Sequence, residues 1–261
     1  MTAVESSAAV PCIGLIVPPG AGRVPDDAAL LYGDRIRFVA RGLGIGSISP
    51  RGFEPVMHRI LDLGRMLRDE GAQAISLMGT SISFYRGAAL TEELRASLEQ
   101  ATGLPCTTMS HAVVSSLRAL GVQRVAVATS YIDELNERLV DYLTDEGFEV
   151  TAVRGLGITG VREVNEVGAD DLMALSESVV QLDTTAQGVF ISCGGLQTHG
   201  VIEPLEARLG LPVTASSPAG FWDVVRLAGL DPSAQGFGRL FRLNAPLEEL
   251  VQAGSALARH R

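Results

Sequence analysis

The chain has 261 residues, an apolar content of 46% and a formal net charge of −9, which indicates a globular protein with a sizeable core. Because the acidic surplus comes without a basic cluster, nucleic acid and anionic membranes are poor partners. All 21 Lys-plus-Arg residues are arginine, so the lack of lysine excludes pyridoxal phosphate enzymes and Schiff-base aldolases.

Short apolar runs alternate with longer amphipathic ones, a pattern typical of parallel sheets whose strands are joined by crossover helices. In chain order we predict strand 12–17, strand 36–40, helix 52–70, strand 74–78, helix 91–102, strand 106–108, helix 110–120, strand 124–129, helix 131–146, strand 149–153, helix 169–182, strand 188–192, helix 201–209, strand 213–215 and helix 219–228.

The second half of the chain resembles the first. Gly103-Leu-Pro-Cys-Thr returns 107 residues later as Gly210-Leu-Pro-Val-Thr. We infer a duplication and predict an α/β fold of two pseudo-symmetric lobes, each with a roughly four-stranded parallel sheet flanked by helices. Residues 1–121 with 219–261 form the predicted first lobe, and residues 122–218 form the second. Since open parallel sheets bind ligands at the carboxyl ends of their strands, we expect the active site in the cleft between lobes.

Cys193 follows the predicted strand at 188–192 and precedes Gly194 and Gly195. Glycines let a ligand approach backbone amides closely, and a helix beginning just beyond would stabilise an anion or a thiolate. A free thiol, with an ordinary pKa of ~8.5, can donate a proton near neutral pH. A buried hydrophobic cysteine is the competing interpretation, which we prefer for Cys12 and Cys106 because they lie within strands.

The equivalent strand end of the first lobe reads Gly79-Thr80-Ser81, so Gly79 stands where a second thiol would be. Thr80 and Ser81 offer two hydroxyls beside backbone amides, and Tyr131 places a phenol at the rim of the second lobe. Helix capping by the hydroxyls and core packing by Tyr131 are the competing interpretations.

Other motifs are weaker. Residues 155–160 match GxGxxG, but no helix closely follows and the expected acidic residue would fall inside a later helix, so we do not predict dinucleotide binding. Dispersed histidines and three cysteines without CxxC spacing argue against a metal site and for a reducing, cytoplasmic compartment. We recognise neither a secretory signal nor an apolar run of the ~20 residues that a membrane span needs.

Four segments resemble the arylmalonate decarboxylase family of the aspartate/glutamate racemase superfamily: IVPP at 16–19, SLMGTSISFYRG at 76–87, ATSYID at 128–133 and SCGGL at 192–196. The similarity runs from about Cys12 to Phe241 and implies the two-lobed α/β fold. Racemases of the superfamily use one cysteine in each lobe, on opposite faces of the substrate, whereas this chain has Gly79 in the first lobe.

The resemblance implies a cofactor-independent decarboxylase. It would convert an α-aryl or α-alkenyl α-substituted malonate into a chiral monocarboxylic acid, through an enediolate that Cys193 protonates on one face. An aspartate/glutamate-type racemase or a maleate cis–trans isomerase is the alternative within the superfamily, and a non-catalytic binding protein for small acids is the alternative outside it.

Roles of individual residues are implied in the same way. Thr80, Ser81 and Tyr131, with the amides of Cys193 and Gly194, would form a dioxyanion hole for the carboxylate that stays. Apolar side chains would surround the departing carboxylate, namely Pro19, Ile45, Ile48, Phe53, Ile82, Val161 and Val164. The resemblance implies no metal and no cofactor; the expected partner is a small dicarboxylic acid, and the expected state is a monomer or small homo-oligomer.

Some residues depart from those usual in the family: His111, Gln197 and His199, and Phe53 where a tyrosine is known. The chain also continues past Leu243, beyond the usual end of the family. These departures bear on the preferred substrate rather than on the type of reaction.

Overall fold

The structure is a computed structural model that describes residues 9–243. In this range the chain forms two four-stranded parallel sheets with helices around them, which confirms the predicted fold class. The first sheet has the order β2-β1-β3-β4, from β1 Cys12–Val17, β2 Arg37–Gly42, β3 Ala74–Leu77 and β4 Cys106–Thr108. The second has the equivalent order β6-β5-β7-β8, from β5 Arg124–Thr129, β6 Glu149–Gly155, β7 Gly188–Ser192 and β8 Val213–Ala215.

Helices connect the strands and cover both sheets. They are α1 Asp27–Tyr32, α2 Pro50–Phe53, α3 Ile60–Asp69, α4 Thr80–Phe84, α5 Ala88–Thr102, α6 Met109–Ala119, α7 Asp133–Asp145, α8 Ala169–Leu182, α9 Ile202–Leu209, α10 Ser216–Leu227 and α11 Arg239–Arg242, with 3-10 helices at Glu54–Arg59 and Glu163–Glu166. No helix between residues 9 and 243 is both long enough and apolar enough to cross a membrane.

The predicted helix at 52–70 was wrong in its extent. The structure has α2, then the 3-10 helix Glu54–Arg59, and only then α3 from Ile60. Pro55 explains the interruption, since proline has no N–H for an α-helical bond and its ring clashes with the preceding turn. The short helices α1, α4 and α11 were not predicted, because four to six residues are too few to show a helical period.

Helices α6 and α10 pack against each other and join the two lobes. Thr107 of β4 donates to an Asp223 carboxylate oxygen of α10 at 2.7 Å, while the hydroxyls of Thr214 in β8 and Ser116 in α6 are 2.9 Å apart. Because Thr107 and Thr214 are equivalent in the duplication, the two contacts are reciprocal. The lobe boundaries at 121/122 and 218/219 stay a prediction, and the part beyond Leu243 lies outside the described residues.

Candidate active site

A cavity of about 450 Å³ lies at the carboxyl ends of the strands, where open parallel sheets bind ligands. Every one of the eight strands in the described part of the chain contributes lining residues from the segment that follows it. In strand order, one such residue from each is Pro19, Ile45, Gly79, Met109, Tyr131, Val161, Cys193 and Ser217. The cavity is therefore built by both lobes.

Most of the residues selected from the sequence line this cavity. Cys193, Gly194, Gly79, Thr80, Ser81 and Tyr131 meet there, together with the apolar side chains of Pro19, Ile45, Ile48, Val161 and Val164. Phe53 and Ile82 lie outside the lining. Phe53 is fully buried against Tyr85, with ring centroids 5.2 Å apart, and Ile82 is buried next to Gly79. Neither side chain lines the cavity, so both contribute to it through the residues they pack against.

Cys193 lies at the sharp turn that ends β7. Among residues 9–243 it is the only non-glycine residue with a positive φ, at 150°, a region that side chains with a Cβ rarely adopt. The turn is closed by a 3.2 Å hydrogen bond from the Leu196 N–H to the Cys193 carbonyl. Backbone strain of this kind often occurs at functional sites, where the surrounding fold holds a side chain in a required direction.

The surroundings of the Cys193 thiol act on its acidity in two directions. Burial raises its pKa, while the Ser130 hydroxyl, the Gly195 N–H, the Tyr131 hydroxyl and the Leu196 N–H lower it. Since burial is the largest influence, the sulfur stays protonated at neutral pH. The same four donors surround the sulfur when it becomes a thiolate, so the Cys193 thiol is suited to act as a proton donor.

Ser130 was not selected from the sequence. Pairing of Thr129 with Ser192 between β5 and β7 brings the next residue of each strand, Ser130 and Cys193, side by side. The Ser130 hydroxyl is buried, and among the described residues it has no hydrogen-bond partner other than the Cys193 thiol. The sequence signal that could have identified Ser130 is its position, a polar residue between the end of β5 and Tyr131.

Tyr131 is buried at the same end of the cavity. Burial raises its pKa far above the ordinary value, so the phenol keeps its proton. The Ser192 hydroxyl donates to the Tyr131 oxygen at 3.3 Å, which leaves the phenolic proton free to be donated to an anion.

Ser216, the first residue of α10, links the two lobes at the cavity and was also missed from the sequence. Its oxygen accepts a hydrogen bond from the Thr80 hydroxyl at 2.7 Å and another from the Cys193 N–H at 3.1 Å. The Cys193 amide, expected from the resemblance to face a substrate, is thus engaged by Ser216. Ser216 follows β8 directly, so the rule that selected the ends of β3 and β7 would also have found it.

A side chain at Gly79 would be crowded in this packing. A Cβ built there would lie 2.6 Å from Ile82 Cγ2 and 3.1 Å from Pro18 Cγ. Its φ of −148° is ordinary extended backbone, so crowding rather than conformation makes glycine fit at this position.

The departures from the family pattern are only partly at the cavity. Gln197 lines it, whereas His199 is exposed beside Phe237 and His111 pairs with Glu92, its Nε2 2.9 Å from a carboxylate oxygen. Within residues 9–243, no cluster of three or more His, Cys, Asp and Glu side chains is placed to hold a metal ion.

Comparison with known proteins gives a consistent result. The family model described as arylmalonate decarboxylase matches residues 13–241. Arylmalonate decarboxylase of Bordetella bronchiseptica is 52% identical over 235 residues, which cover 90% of this chain and 98% of the relative. Maleate isomerase of Nocardia farcinica is 34% identical over 131 residues, which cover 50% of this chain and 52% of the relative.

Solved structures agree with this fold. A mutant of arylmalonate decarboxylase in the liganded form superimposes with a TM-score of 0.87 at 51% identity, covering 88% of this chain and 98% of that one. A mutant of Nocardia farcinica maleate cis–trans isomerase with a covalently bound succinylcysteine intermediate gives a TM-score of 0.82 at 23% identity, covering 90% and 99% of the two chains. At that identity the second likeness concerns the fold alone.

Proposed function

The chain belongs to the arylmalonate decarboxylase family and is a carboxy-lyase, and we propose that it converts α-aryl or α-alkenyl α-substituted malonates into chiral monocarboxylic acids without a cofactor. The observation that carries this proposal is the arrangement of the cavity. Of its lining residues, only Cys193 bears a thiol, and it shares the cavity with the hydroxyls of Thr80, Ser81 and Tyr131.

The polar end of the cavity would bind the carboxylate that stays in the product. Ser81 and Tyr131 donate their hydroxyl protons to it, and the amides at the start of α4 and after Cys193 add backbone donors. Charge grows on these oxygens as the reaction proceeds, so the donors bind the transition state more strongly than the substrate. Each donor of such a site contributes about 10²–10³ in rate.

The apolar wall would receive the carboxylate that leaves. Ile45, Ile48, Val161 and Val164 offer it no hydrogen bonds, so the charged group loses the water that stabilises it. The bond between the α-carbon and this carboxylate breaks, neutral CO2 departs, and the electron pair passes into the retained carboxylate as an enediolate.

Cys193 would complete the reaction. Its thiol proton moves to the α-carbon of the enediolate and leaves a thiolate, which the Ser130 hydroxyl and the Gly195 and Leu196 amides stabilise. The thiolate then takes a proton from water. Because a single thiol reaches only one face of the enediolate, the product is one enantiomer.

The arrangement disfavours the two-thiol chemistry of racemases and maleate isomerases. The other cysteines, Cys12 and Cys106, are buried within β1 and β4 and do not line the cavity, and Gly79 occupies the position equivalent to Cys193. We therefore favour decarboxylation over isomerisation or racemisation as the function of this chain.

The test is release of CO2 from phenylmalonate by protein dialysed against a chelator, with no cofactor added. We expect the wild type to release CO2 and to give one enantiomer from α-methyl-α-phenylmalonate. Cys193→Ala should lower the rate by about 10²–10⁴-fold, the usual contribution of a general acid. Cys106→Ala, the matched loss of a buried thiol away from the cavity, should keep the wild-type rate.

Two results would overturn the proposal. One is full activity of a folded Cys193→Ala variant. The other is a wild type that leaves phenylmalonate intact while interconverting the enantiomers of aspartate or isomerising maleate.

Two further properties belong to the proposal. We place the protein in the cytoplasm because its three cysteines are all free. We also keep a monomer or small homo-oligomer as the expected state, which light scattering after size-exclusion chromatography would measure.

A further inference from the structure

Asp27, the first residue of α1, contributes a buried carboxyl group to the cavity wall. The residue is only 7% exposed, and no arginine is among the charged groups that act on it. Its charged neighbours are His199, which lowers its pKa, and Asp26, which raises it, but burial is the largest influence and raises the pKa. A buried carboxylate without an arginine partner is unexpected in a cavity that accepts anions.

Ser217 lies beside Asp27 on the cavity wall. Its hydroxyl lies close enough to the Asp27 carboxyl to lower the pKa of that group as a hydrogen bond does, and no other group among residues 9–243 hydrogen-bonds it, although the residue is only 3% exposed. Apart from the buried hydroxyls of the carboxylate subsite, the other polar side chains of the lining are exposed and keep their water, namely Arg23, Asp26, Asn165 and Gln197. Asp27 and Ser217 are thus the polar pair that a bound ligand would desolvate.

A ligand that covers these two groups with carbon and hydrogen alone leaves the Asp27 carboxyl buried with only the Ser217 hydroxyl to donate to it. An unsatisfied buried polar group costs about 1–3 kcal/mol, and more when it is charged. The pair matches a ligand group that donates a hydrogen bond, because a carboxylate only accepts while a serine hydroxyl accepts or donates. The Asp27 carboxylate of this pair repels an anionic group on the same part of a ligand.

The pair also lies within reach of a molecule that reacts at Cys193. Ser217 follows Ser216, whose oxygen binds both the Cys193 N–H and the Thr80 hydroxyl. The chain neighbour of Ser217 therefore contacts both the carboxylate subsite and the backbone of the residue that carries the thiol. Since Cys193, Asp27 and Ser217 line the same cavity of about 450 Å³, we expect a ring attached to the α-carbon to extend from the thiol toward Asp27.

We propose that Asp27 and Ser217 form a substituent subsite, which selects malonates whose aryl group carries a hydrogen-bond donor such as a phenolic O–H or an aromatic N–H. This rests on the proposed function, because the substituent belongs to the aryl group of the proposed substrate. A site that hydrogen-bonds a substrate hydroxyl rejects analogues without it far more strongly than an apolar pocket distinguishes sizes.

The experiment compares hydroxyphenylmalonates with methoxyphenylmalonates, using the meta and para isomers of each. The methoxy group has the same position but no proton to donate. We expect the wild type to prefer the better hydroxy isomer by more than about tenfold in kcat/KM. Asp27→Ala and Ser217→Ala should each reduce that ratio several-fold, while Asp26→Ala, which removes the neighbouring exposed carboxylate, should leave the ratio as it is.

Equal kcat/KM for hydroxy and methoxy substrates in the wild type would overturn the subsite while leaving decarboxylation itself intact. An unchanged preference in both Asp27→Ala and Ser217→Ala would do the same, and if one variant fails to fold the other decides. Absence of CO2 release from every malonate would instead contradict the proposed function. Calorimetric titration with hydroxyphenylacetate and with phenylacetate then tests the subsite alone. We expect hydroxyphenylacetate to bind more tightly to the wild type, and we expect Asp27→Ala to abolish that difference.

Discussion

The hydroxyl groups of Thr80 and Ser216 form a 2.7 Å hydrogen bond at the cavity, although the two residues are 136 positions apart in the chain. The same Ser216 oxygen accepts the Cys193 N–H at 3.1 Å. One buried side chain therefore holds both the first residue of α4, where the proposed carboxylate subsite lies, and the strained turn that carries the thiol. This identifies Ser216 as a positioning residue.

Ser216→Ala should lower kcat by roughly tenfold, because Thr80 and the turn at Cys193 are then no longer held in place. The variant also leaves the buried Cys193 amide without its hydrogen-bond partner, which costs about 1–3 kcal/mol of free energy. Ser216→Thr keeps the hydroxyl and should restore most of the rate. Ser116→Ala is the matched control, because it breaks the other serine–threonine contact between lobes, at 2.9 Å, away from the cavity. If both alanine variants lose stability alike and neither changes kcat, Ser216 is only structural.

The raised pKa of Cys193 predicts a loss of activity at alkaline pH. The thiol donates only while protonated, so kcat should fall as pH rises through a value above the ordinary ~8.5. Ser130→Ala removes a hydroxyl that lowers this pKa and should move the fall in kcat to higher pH. Alkylation of Cys193 by iodoacetamide, followed by mass spectrometry of its peptide, should slow in that variant at any fixed pH. A shift of the profile to lower pH would contradict the role given to Ser130.

Gly79→Cys should permit racemisation of an arylpropionate, because it adds a thiol at the position equivalent to Cys193. The structure adds a cost, since the new Cβ would lie 2.6 Å from Ile82 Cγ2, on a stiff β-branched side chain. We expect Gly79→Cys to destabilise the fold by about 1–3 kcal/mol, as overpacking usually does. Denaturant unfolding of the two single variants and of Gly79→Cys/Ile82→Ala would form a double-mutant cycle.

In that cycle the double variant should be more stable than the sum of the single effects predicts, because Ile82→Ala removes the crowded methyl group. Strict additivity would show that the new side chain does not meet Ile82. Chiral chromatography of recovered arylpropionate measures racemisation in the same proteins, and a folded Gly79→Cys variant that preserves a single enantiomer would contradict the proposed two-face geometry.

Asp27 predicts a pH dependence of stability with a definite sign. Burial raises the pKa of Asp27 in the folded state. The protonated carboxyl therefore favours the folded protein fully at pH values below the ordinary pKa of ~3.9, and this stabilisation is lost as the pH rises through the folded-state pKa. Asp27→Asn should therefore raise the melting temperature at pH 8 more than at pH 4.5. Asp26→Asn alters an exposed neighbour and should change the melting temperature little at either pH. A destabilised Asp27→Asn protein at pH 8 would show that the charge is compensated in the fold.

Much of the fold could be read from the sequence, because strand and helix patterns are local. All eight predicted strands are present in residues 9–243; β2 and β6 run further than predicted, as each ends in a glycine, a residue that does not signal a strand. The duplicated Gly-Leu-Pro segment correctly indicated two equivalent sheets. Cys193 and Gly79 could be singled out for a similar reason: Cys193 directly follows the buried strand β7, and Gly79 follows the buried strand β3 after Met78.

The sequence by itself thus determined the two equivalent sheets, and it marked Cys193 and Gly79 as equivalent strand ends. Only the tertiary structure decided which side chains meet. It placed Ser130 beside the Cys193 thiol, joined Thr80 to Ser216, buried Asp27 with Ser217 and moved Phe53 behind the wall. The physical reason is that hydrophobic periodicity reports which face of an element is buried, whereas contacts between elements depend on how α6 and α10 pack the two lobes together.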